Sequence, residues 1–256
     1  MLNIISCYKW VIDEAYIRKT PSGGLDFSTI DYKIGEYDRN AIEEAVRLKE
    51  AHGGKVTALT AGVPESSKGV KDALSRGCDQ ACFAADASFR DLEPSQTASV
   101  LANAIKAKLE YNLIICGEGS SDLYTQQVGP ILAENLGIPC ATYVNKLEVA
   151  ESEKLIRADR KLDDCVEVVS IKLPALVTVL PDINTPRIPT LKQVLAAGKK
   201  PVENITLDAL GGACESCLQT TGIVAATMER RRLKFGTESD DIRALIGALL
   251  KDGVIA

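Results

Sequence analysis

The sequence predicts an α/β protein built on a parallel sheet, with antiparallel strand additions and a C-terminal arm ending in a helix. Three observations carry this. Short apolar runs alternate with amphipathic helical patterns through the first 140 residues, which is the rhythm of βαβ units. The apolar runs are nearly continuous, as strands covered by helices on both faces require. After residue 140 the pattern changes to strands joined by short polar turns.

Taken in order, residues 2–8 read as a strand, and their apolar run is too short for a secretory signal. Residues 38–52 carry a helical period. Ala41, Ile42, Ala45, Val46 and Leu48 form its apolar side, Glu43 and Arg47 pair at i,i+4, and Gly53-Gly54 ends it. Residues 56–63 form a second strand, 66–76 a helix closed by Gly77, and 80–85 a third strand. Pro94-Ser95 opens a helix with Ala98, Leu101, Ala102, Ile105 and Leu109 on its apolar side. Residues 113–116 are a short buried strand, followed by a Gly-containing loop and a helix ending at Leu136. Strand patterns at 141–149, 154–160 and 166–172 suggest the antiparallel addition, and 175–180 is one more buried strand. Residues 27–32 also alternate like a strand. Residues 211–236 have no clear period, and from about Ser239 the spacing of Ile242, Leu245, Ile246, Leu249 and Leu250 marks a final helix. This gives a domain over 1–210 and an arm over 211–256, which docks either on another chain or on its own domain.

Composition narrows the function. With 256 residues, 46% hydrophobic and 25% charged, the chain can bury a real core and is not of the disordered class. No run approaches the ~18 apolar residues of a membrane span. A net charge of −5 argues against broad electrostatic binding to nucleic acid. The single histidine, His52, argues against chemistry that needs several. The eight cysteines, at 7, 78, 82, 116, 140, 165, 214 and 217, read as buried free thiols of a reducing cytoplasm.

On parallel sheets ligands sit outside the carboxyl ends of the strands, so the loops after Cys7, Gly62 and Cys116 are the first candidates. The best is Gly117-Glu118-Gly119-Ser120-Ser121-Asp122-Leu123-Tyr124-Thr125-Gln126-Gln127-Val128-Gly129-Pro130, between a buried strand and a helix. Pro130 sets the helix start near 126–129, so the free amides of Gln126 to Gly129 are placed to meet a phosphate. Ser22-Gly23-Gly24-Leu25-Asp26-Phe27-Ser28 is similar to the pyrophosphate loop of ATP pyrophosphatases, with one extra residue and no helix after it. A hairpin turn explains it as well. Cys214-Glu215-Ser216-Cys217 has metal or redox spacing but no second pair. Arg230-Arg231-Arg232 with Lys234 reads as a solvated face or a subunit contact. Thr190 and Gln193 fit a capping box after a stretch stiffened by Pro186 and Pro189. Leu191, at that helix start, is either a partner anchor or a core contact.

Together these segments resemble the beta subunit of electron-transfer flavoproteins. The resemblance rests on Cys7-Tyr8-Lys9-Trp10-Val11-Ile12-Asp13, the helix over 40–49, the loop over 117–129, Leu173-Pro174-Ala175-Leu176-Val177-Thr178-Val179, Asn184-Thr185-Pro186-Arg187 and Lys199-Lys200. Tyr37-Asp38 and Ser120-Ser121-Asp122-Leu123-Tyr124 look most like the bacterial Fix-type branch, linked to anaerobic reduction of acyl-CoA-type substrates such as crotonobetainyl-CoA. The family departs from this chain where it often has Asn-Pro and this chain has Gly35-Glu36, and where some relatives have an aromatic and this chain has Glu14.

The resemblance implies a Rossmann-like domain in a cytoplasmic heterodimer, a carrier without catalytic residues of its own. The redox-active FAD is then held mainly by an alpha subunit, and this chain holds AMP or a second FAD. Its nucleotide contacts would be Cys7, Gly35, Glu36, Tyr37, Asp38, Ala61, and the loop from Gly117 to Val128 quoted above. Arg187 and Leu191 would face an acyl-CoA dehydrogenase or reductase partner. Two other readings stay open: an ATP pyrophosphatase-like adenylating enzyme using Ser22 to Asp26, and a stand-alone nucleotide-binding sensor, against which the C-terminal arm argues.

Overall fold

A computed structural model describes residues 1–20, 24–150, 154–211, 216, 218–224 and 232–255. The candidate residues Ser22, Gly23, Cys214, Cys217, Arg230 and Arg231 lie outside them. Contacts divide the chain into one unit of Met1–Arg18 with Asp26–Ile223 and another of Lys19–Leu25 with Val224–Ala256.

The described strands are β1 (Leu2–Cys7), β2 (Trp10–Ile12), β3 (Arg18–Lys19), β4 (Leu25–Asp26), β5 (Tyr32–Ile34), β6 (Gly54–Gly62), β7 (Gln80–Ala85), β8 (Leu113–Gly117), β9 (Cys140–Ala150), β10 (Leu155–Lys161), β11 (Val166–Lys172), β12 (Ala175–Val179) and β13 (Val202–Ile205). The helices are α1 (Glu36–His52), α2 (Ser67–Ser75), α3 (Pro94–Lys108), α4 (Val128–Leu136), α5 (Leu191–Ala197) and α6 (Ser239–Lys251).

Nine strands form one sheet in the order β11-β10-β9-β12-β8-β1-β6-β7-β13. From β9 to β13 every neighbour is parallel, and β10 and β11 extend the β9 edge antiparallel. The strands are apolar on both faces because helices cover both. Ile4 and Ile115 face a core shared with Ile42 and Val46 of α1 and Leu74 of α2. The adjacent Ile5 and Ile114 face the opposite core, with Leu101 and Ile105 of α3 and Leu132 of α4. Truncating any of these fully buried side chains to Ala costs about 2–5 kcal/mol.

Helix ends follow local chemistry. The α3 start is a reciprocal capping box between Glu93 and Gln96, and the α5 start is one between Thr190 and Gln193. In α1, Gly53 at φ 70° stops the helix while its N–H bonds to Lys49 O.

Several expectations are corrected. The alternation over 27–32 is not a strand: residues 28–29 form a turn, and pairing begins only at Tyr32, whose strand β5 runs antiparallel to β2. α1 starts at Glu36, two residues earlier than its apolar period, because Gly35 serves as its N-cap. β13 is an edge strand beside β7 that the pattern at 202–205 does not reveal. Cys7, Cys78, Cys82 and Cys116 are buried free thiols, but Cys140 and Cys165 are exposed. The final helix expected from Ser239 is present as α6, with Ile242, Leu245, Ile246 and Leu250 on it exposed.

Candidate functional site

The strand order reverses beside β1. The chain steps from β1 through β6 to β7, then returns to place β8 on the other side of β1. At such a switch point the loops leaving the two strands diverge and open a crevice at their carboxyl ends. Here those loops begin at Cys7 and Gly117. The first turn of α1 closes the crevice from one side, because Gly35 N–H donates to Lys9 O at 3.2 Å.

Asp38 ties these pieces together. Its carboxylate accepts the Lys9 N–H at 2.8 Å and also the Gly117 N–H, so it bridges the ends of β1 and β8. It is fully buried, and burial raises its pKa to about 7 against the opposing pull of those amides and of Lys9. The approach is close enough to exclude a side chain at 117. A Cβ there would lie 2.5 Å from Asp38 Oδ1 and 2.7 Å from Tyr37 Cβ.

The loop after Gly117 is held at both ends. Glu118 is buried, and its carboxylate accepts from Tyr143 N–H at 2.7 Å on β9 and from the Thr178 hydroxyl on β12. Its charge is therefore engaged by the scaffold. Asp122 pairs with Lys9 at 2.6 Å. Burial pushes the Asp122 carboxyl up, but Lys9 and Ser120 outweigh it and the group lies below the ordinary carboxylate range. Tyr124 packs its ring on Tyr37 with centroids 5.2 Å apart. The hydrogen bond to Tyr124, with burial, lifts the Tyr37 phenol to about 12. Tyr124 and Gln126 adopt left-handed φ values of 49° and 58°, and Tyr143, whose hydroxyl reaches Gln126 Oε1 at 3.4 Å, adopts 59°. Non-glycine residues in this region cost energy and concentrate where a loop has a shaped task.

The loop ends in the N-terminus of α4, whose N-cap is Gln127 and whose first residues are Val128 and Gly129. Gly129 lets the helix start seat against the sheet, since a Cβ would lie 2.4 Å from Thr178 Cγ2. Gln127 makes no side-chain cap, so the first amides of a nine-residue helix are available to an anion. The Ser121 Oγ is buried and has no hydrogen-bond partner among the described residues. An unpaired polar oxygen costs about 1–3 kcal/mol. A nucleotide phosphate or ribose fits this set: helix amides, an unpaired hydroxyl, and the Lys9 cation nearby.

The fold thus brings Cys7, Gly35, Tyr37, Asp38, Gly117, Ser121, Asp122 and Tyr124 into one neighbourhood. Glu36, Leu123, Thr125 and Gln127 are exposed, Gly119 and Ser120 are half-buried, and Ala61 is half-buried near the end of β6, the strand next to β1. The Cys7 and Cys116 thiols hydrogen-bond each other, and that bond with burial raises Cys116 well above the usual thiol range. Burial lifts Cys78 and Cys82 to about 12. Cys78, Cys82 and Cys116 are thereby held protonated, a state that does not act as a nucleophile. Among the described residues no His, Cys, Asp and Glu group is placed to hold a metal ion. Sequence reasoning missed Lys9, Tyr143 and Thr178 as supports of the loop. Only Lys9 carried a signal, as a cation two residues beyond Cys7.

Arg187 and Leu191 lie elsewhere, beside the middle of α1 and on α5. Arg187 is turned inward. It forks onto the buried Glu43 at 2.7 and 3.1 Å and onto Glu50 at 2.7 and 3.0 Å. Asn184 and Asn40 exchange amide-to-carbonyl hydrogen bonds at 3.0 and 2.8 Å. The segment is pinned to α1, and beyond it Leu191 is 76% exposed, which removes the core-contact alternative for this side chain.

A family model, that of the electron transfer flavoprotein domain, matches residues 24–210, well over half of the chain. With the switch-point crevice and its loop, this match establishes that the chain belongs to the electron transfer flavoprotein domain family.

Proposed function

We propose that the chain is the beta subunit of a heterodimeric electron-transfer flavoprotein, passing electrons between a donor and an acyl-CoA dehydrogenase or reductase through FAD held mainly by an alpha subunit. The observation that carries this reading is the convergence of the β1 end, the first turn of α1 and the loop 117–128 at the switch point of a family member. That place is the crevice where an adenine nucleotide, AMP or a second FAD, would sit. The amides of Val128 and Gly129 and the Ser121 hydroxyl would hold its phosphate or ribose oxygens, while Asp38 and Glu118 hold the loop rather than the ligand. Bound flavin supplies the one- and two-electron chemistry. The chain orients it, presents a docking surface and brings no catalytic residue of its own.

The Fix-type likeness of Tyr37-Asp38 and of residues 120–124 supports a place in anaerobic acyl-CoA or carnitine metabolism in the cytoplasm. No described helix is long and apolar enough to cross a membrane. The arm over 211–256 would dock on the alpha subunit, and the exposed apolar stripe of α6 supports this. The pyrophosphatase reading gains nothing: Gly24 leads into the two-residue strand β4, not into a helix whose amides would meet a phosphate.

Leu191 decides between carrier and self-contained protein. Because the side chain is exposed, Leu191→Ala should change stability by less than about 0.5 kcal/mol. As a docking anchor its loss should weaken the partner complex by ~2 kcal/mol, or roughly 30-fold. Measuring melting temperature beside dehydrogenase-coupled flavin reduction checks this. Unchanged coupling in the variant would refute the docking role.

A further inference from the structure

The crevice that would receive an anion is itself lined by acids. Three carboxylates, Asp38, Glu118 and Asp122, surround the start of the loop after β8. Lys9 is the cation in contact with this loop, and its Nζ is committed to Asp122 at 2.6 Å. Glu118 is held by Tyr143 N–H at 2.7 Å and by the Thr178 hydroxyl. Asp38 differs from both. It is buried, its partners are the neutral amides of Lys9 and Gly117, and among the described residues no cation is in ion-pair contact with it. It also stands beside the place where a phosphate would bind. A Cβ at Gly35 would lie 3.0 Å from Asp38 Oδ2 and 3.7 Å from Ser121 Oγ, so the buried carboxylate and the unpaired hydroxyl flank one point. A phosphate held by Ser121 therefore adds negative charge next to a carboxylate that has no water to screen it. A compensating metal ion would need free ligands, and Glu118 and Asp122 are already engaged. A proton needs only a carboxylate oxygen.

We infer that the crevice takes up a proton together with the phosphate of its nucleotide, and that this proton goes to the Asp38 carboxylate. The inference rests on the nucleotide reading above and adds how the charge of the ligand is balanced. The proton comes from solvent and adds to one Oδ of Asp38, while the other oxygen still accepts an amide. The groups that face Asp38 do not take its place. Lys9 is paired with Asp122, and that pair keeps the Asp122 carboxyl below its ordinary range. Tyr8, whose hydroxyl has no hydrogen-bond partner among the described residues, is raised well above the phenol range by burial. Cys116 is raised by its hydrogen bond to Cys7 and by burial, so both groups already hold their protons. Burial lifts Asp38 itself to about 7, against the pull of its amides, so an added anion moves a titration that already lies near neutral pH. The sign follows from linkage. A bound phosphate raises the Asp38 pKa further, so nucleotide affinity is full below pH 7 and declines as pH rises through the free and then the bound value.

The test is calorimetric titration of AMP into the flavin-loaded heterodimer, freed of its exchangeable adenine nucleotide, between about pH 7 and pH 9 in two buffers of different ionisation enthalpy. Over this range the AMP phosphate stays a dianion, since its second pKa is about 6. The wild type should take up more than about half a proton per AMP near pH 8, and its affinity should fall about tenfold across the range. Adenosine lacks the phosphate and should bring neither the proton nor the pH dependence. Asp38→Asn does not ionise and should bind AMP without proton uptake. The comparison of the two ligands on wild-type protein stands even where the variant fails to fold. If the wild type binds AMP without taking up a proton, if adenosine draws the same proton, or if Asp38→Asn retains the uptake, the inference is overturned and the nucleotide reading survives. If AMP does not bind at all, the nucleotide reading itself fails and the inference with it.

Discussion

Asp38 is a carboxyl group without solvent, held by the amides of Lys9 and Gly117 at the ends of two strands. Its folded pKa of about 7 lies above the unfolded value, so folding takes up a proton between the two. The stability this group contributes is therefore complete below about pH 4 and declines as pH rises through 7. The groups facing it are Lys9, which favours the charge, and Asp122, Tyr8 and Cys116, which share the pocket. Asp38→Asn does not titrate. Its stability relative to wild type should therefore improve by ~3 kcal/mol between pH 5 and pH 8. Chemical denaturation across that range measures it, and parallel curves would show an ordinary Asp38. A second residue acts by shape. Gly129→Ala forces a methyl group against Thr178, which also holds Glu118. It should destabilise by about 1–3 kcal/mol and weaken AMP or FAD binding measured by calorimetry, since α4 and the loop move together.

Among the elements, α1 serves both the crevice and the segment over 184–187. Its first turn carries Asp38, and its next turns carry Asn40, Glu43 and Glu44, which hold residues 184–187. Glu43 is pushed up by burial but kept below the usual carboxylate range by Arg187 and Arg47. Arg187→Ala would strip the buried Glu43 of its double fork and should cost roughly 2 kcal/mol, with Arg187→Lys costing less because it keeps the charge. Thermal unfolding ranks the two, and equal stability of wild type and Arg187→Ala would contradict the brace. This brace was not legible in the sequence: Asn184 and Arg187 are 144 residues from Asn40 and Glu43, and no periodicity encodes such a pair. The sheet was legible because burial on both faces writes continuous apolar runs into β1, β6, β7, β8 and β12. β13 was not, because an edge strand is exposed at Val202, Glu203 and Asn204 and buries only Ile205. The alternation at 27–32 misled for the opposite reason: period two was present without a neighbouring strand to pair with over residues 27–31. For the site, the loop 117–128 could be found by its place between strand and helix. Its supports on β9 and β12 could not, since they come together only through strand order.

On the function proposed, the whole molecule combines a nucleotide crevice at the switch point, a docking segment braced on α1 and an arm carrying an amphipathic helix. Removing residues 211–256 should abolish co-purification with the alpha subunit and the flavin content that depends on it. A truncated chain that still forms a flavin-loaded heterodimer would place the interface elsewhere. If this chain is the nucleotide-holding half of a flavin carrier, the purified heterodimer must carry both flavin and a second adenine nucleotide. The decisive measurement is its absorbance spectrum, followed by quantification of the nucleotides released on denaturation. The expected result is a flavin spectrum with either one FAD and one AMP, or two FAD, per heterodimer. A heterodimer that is colourless, or that releases one FAD and no second adenine nucleotide, would contradict it.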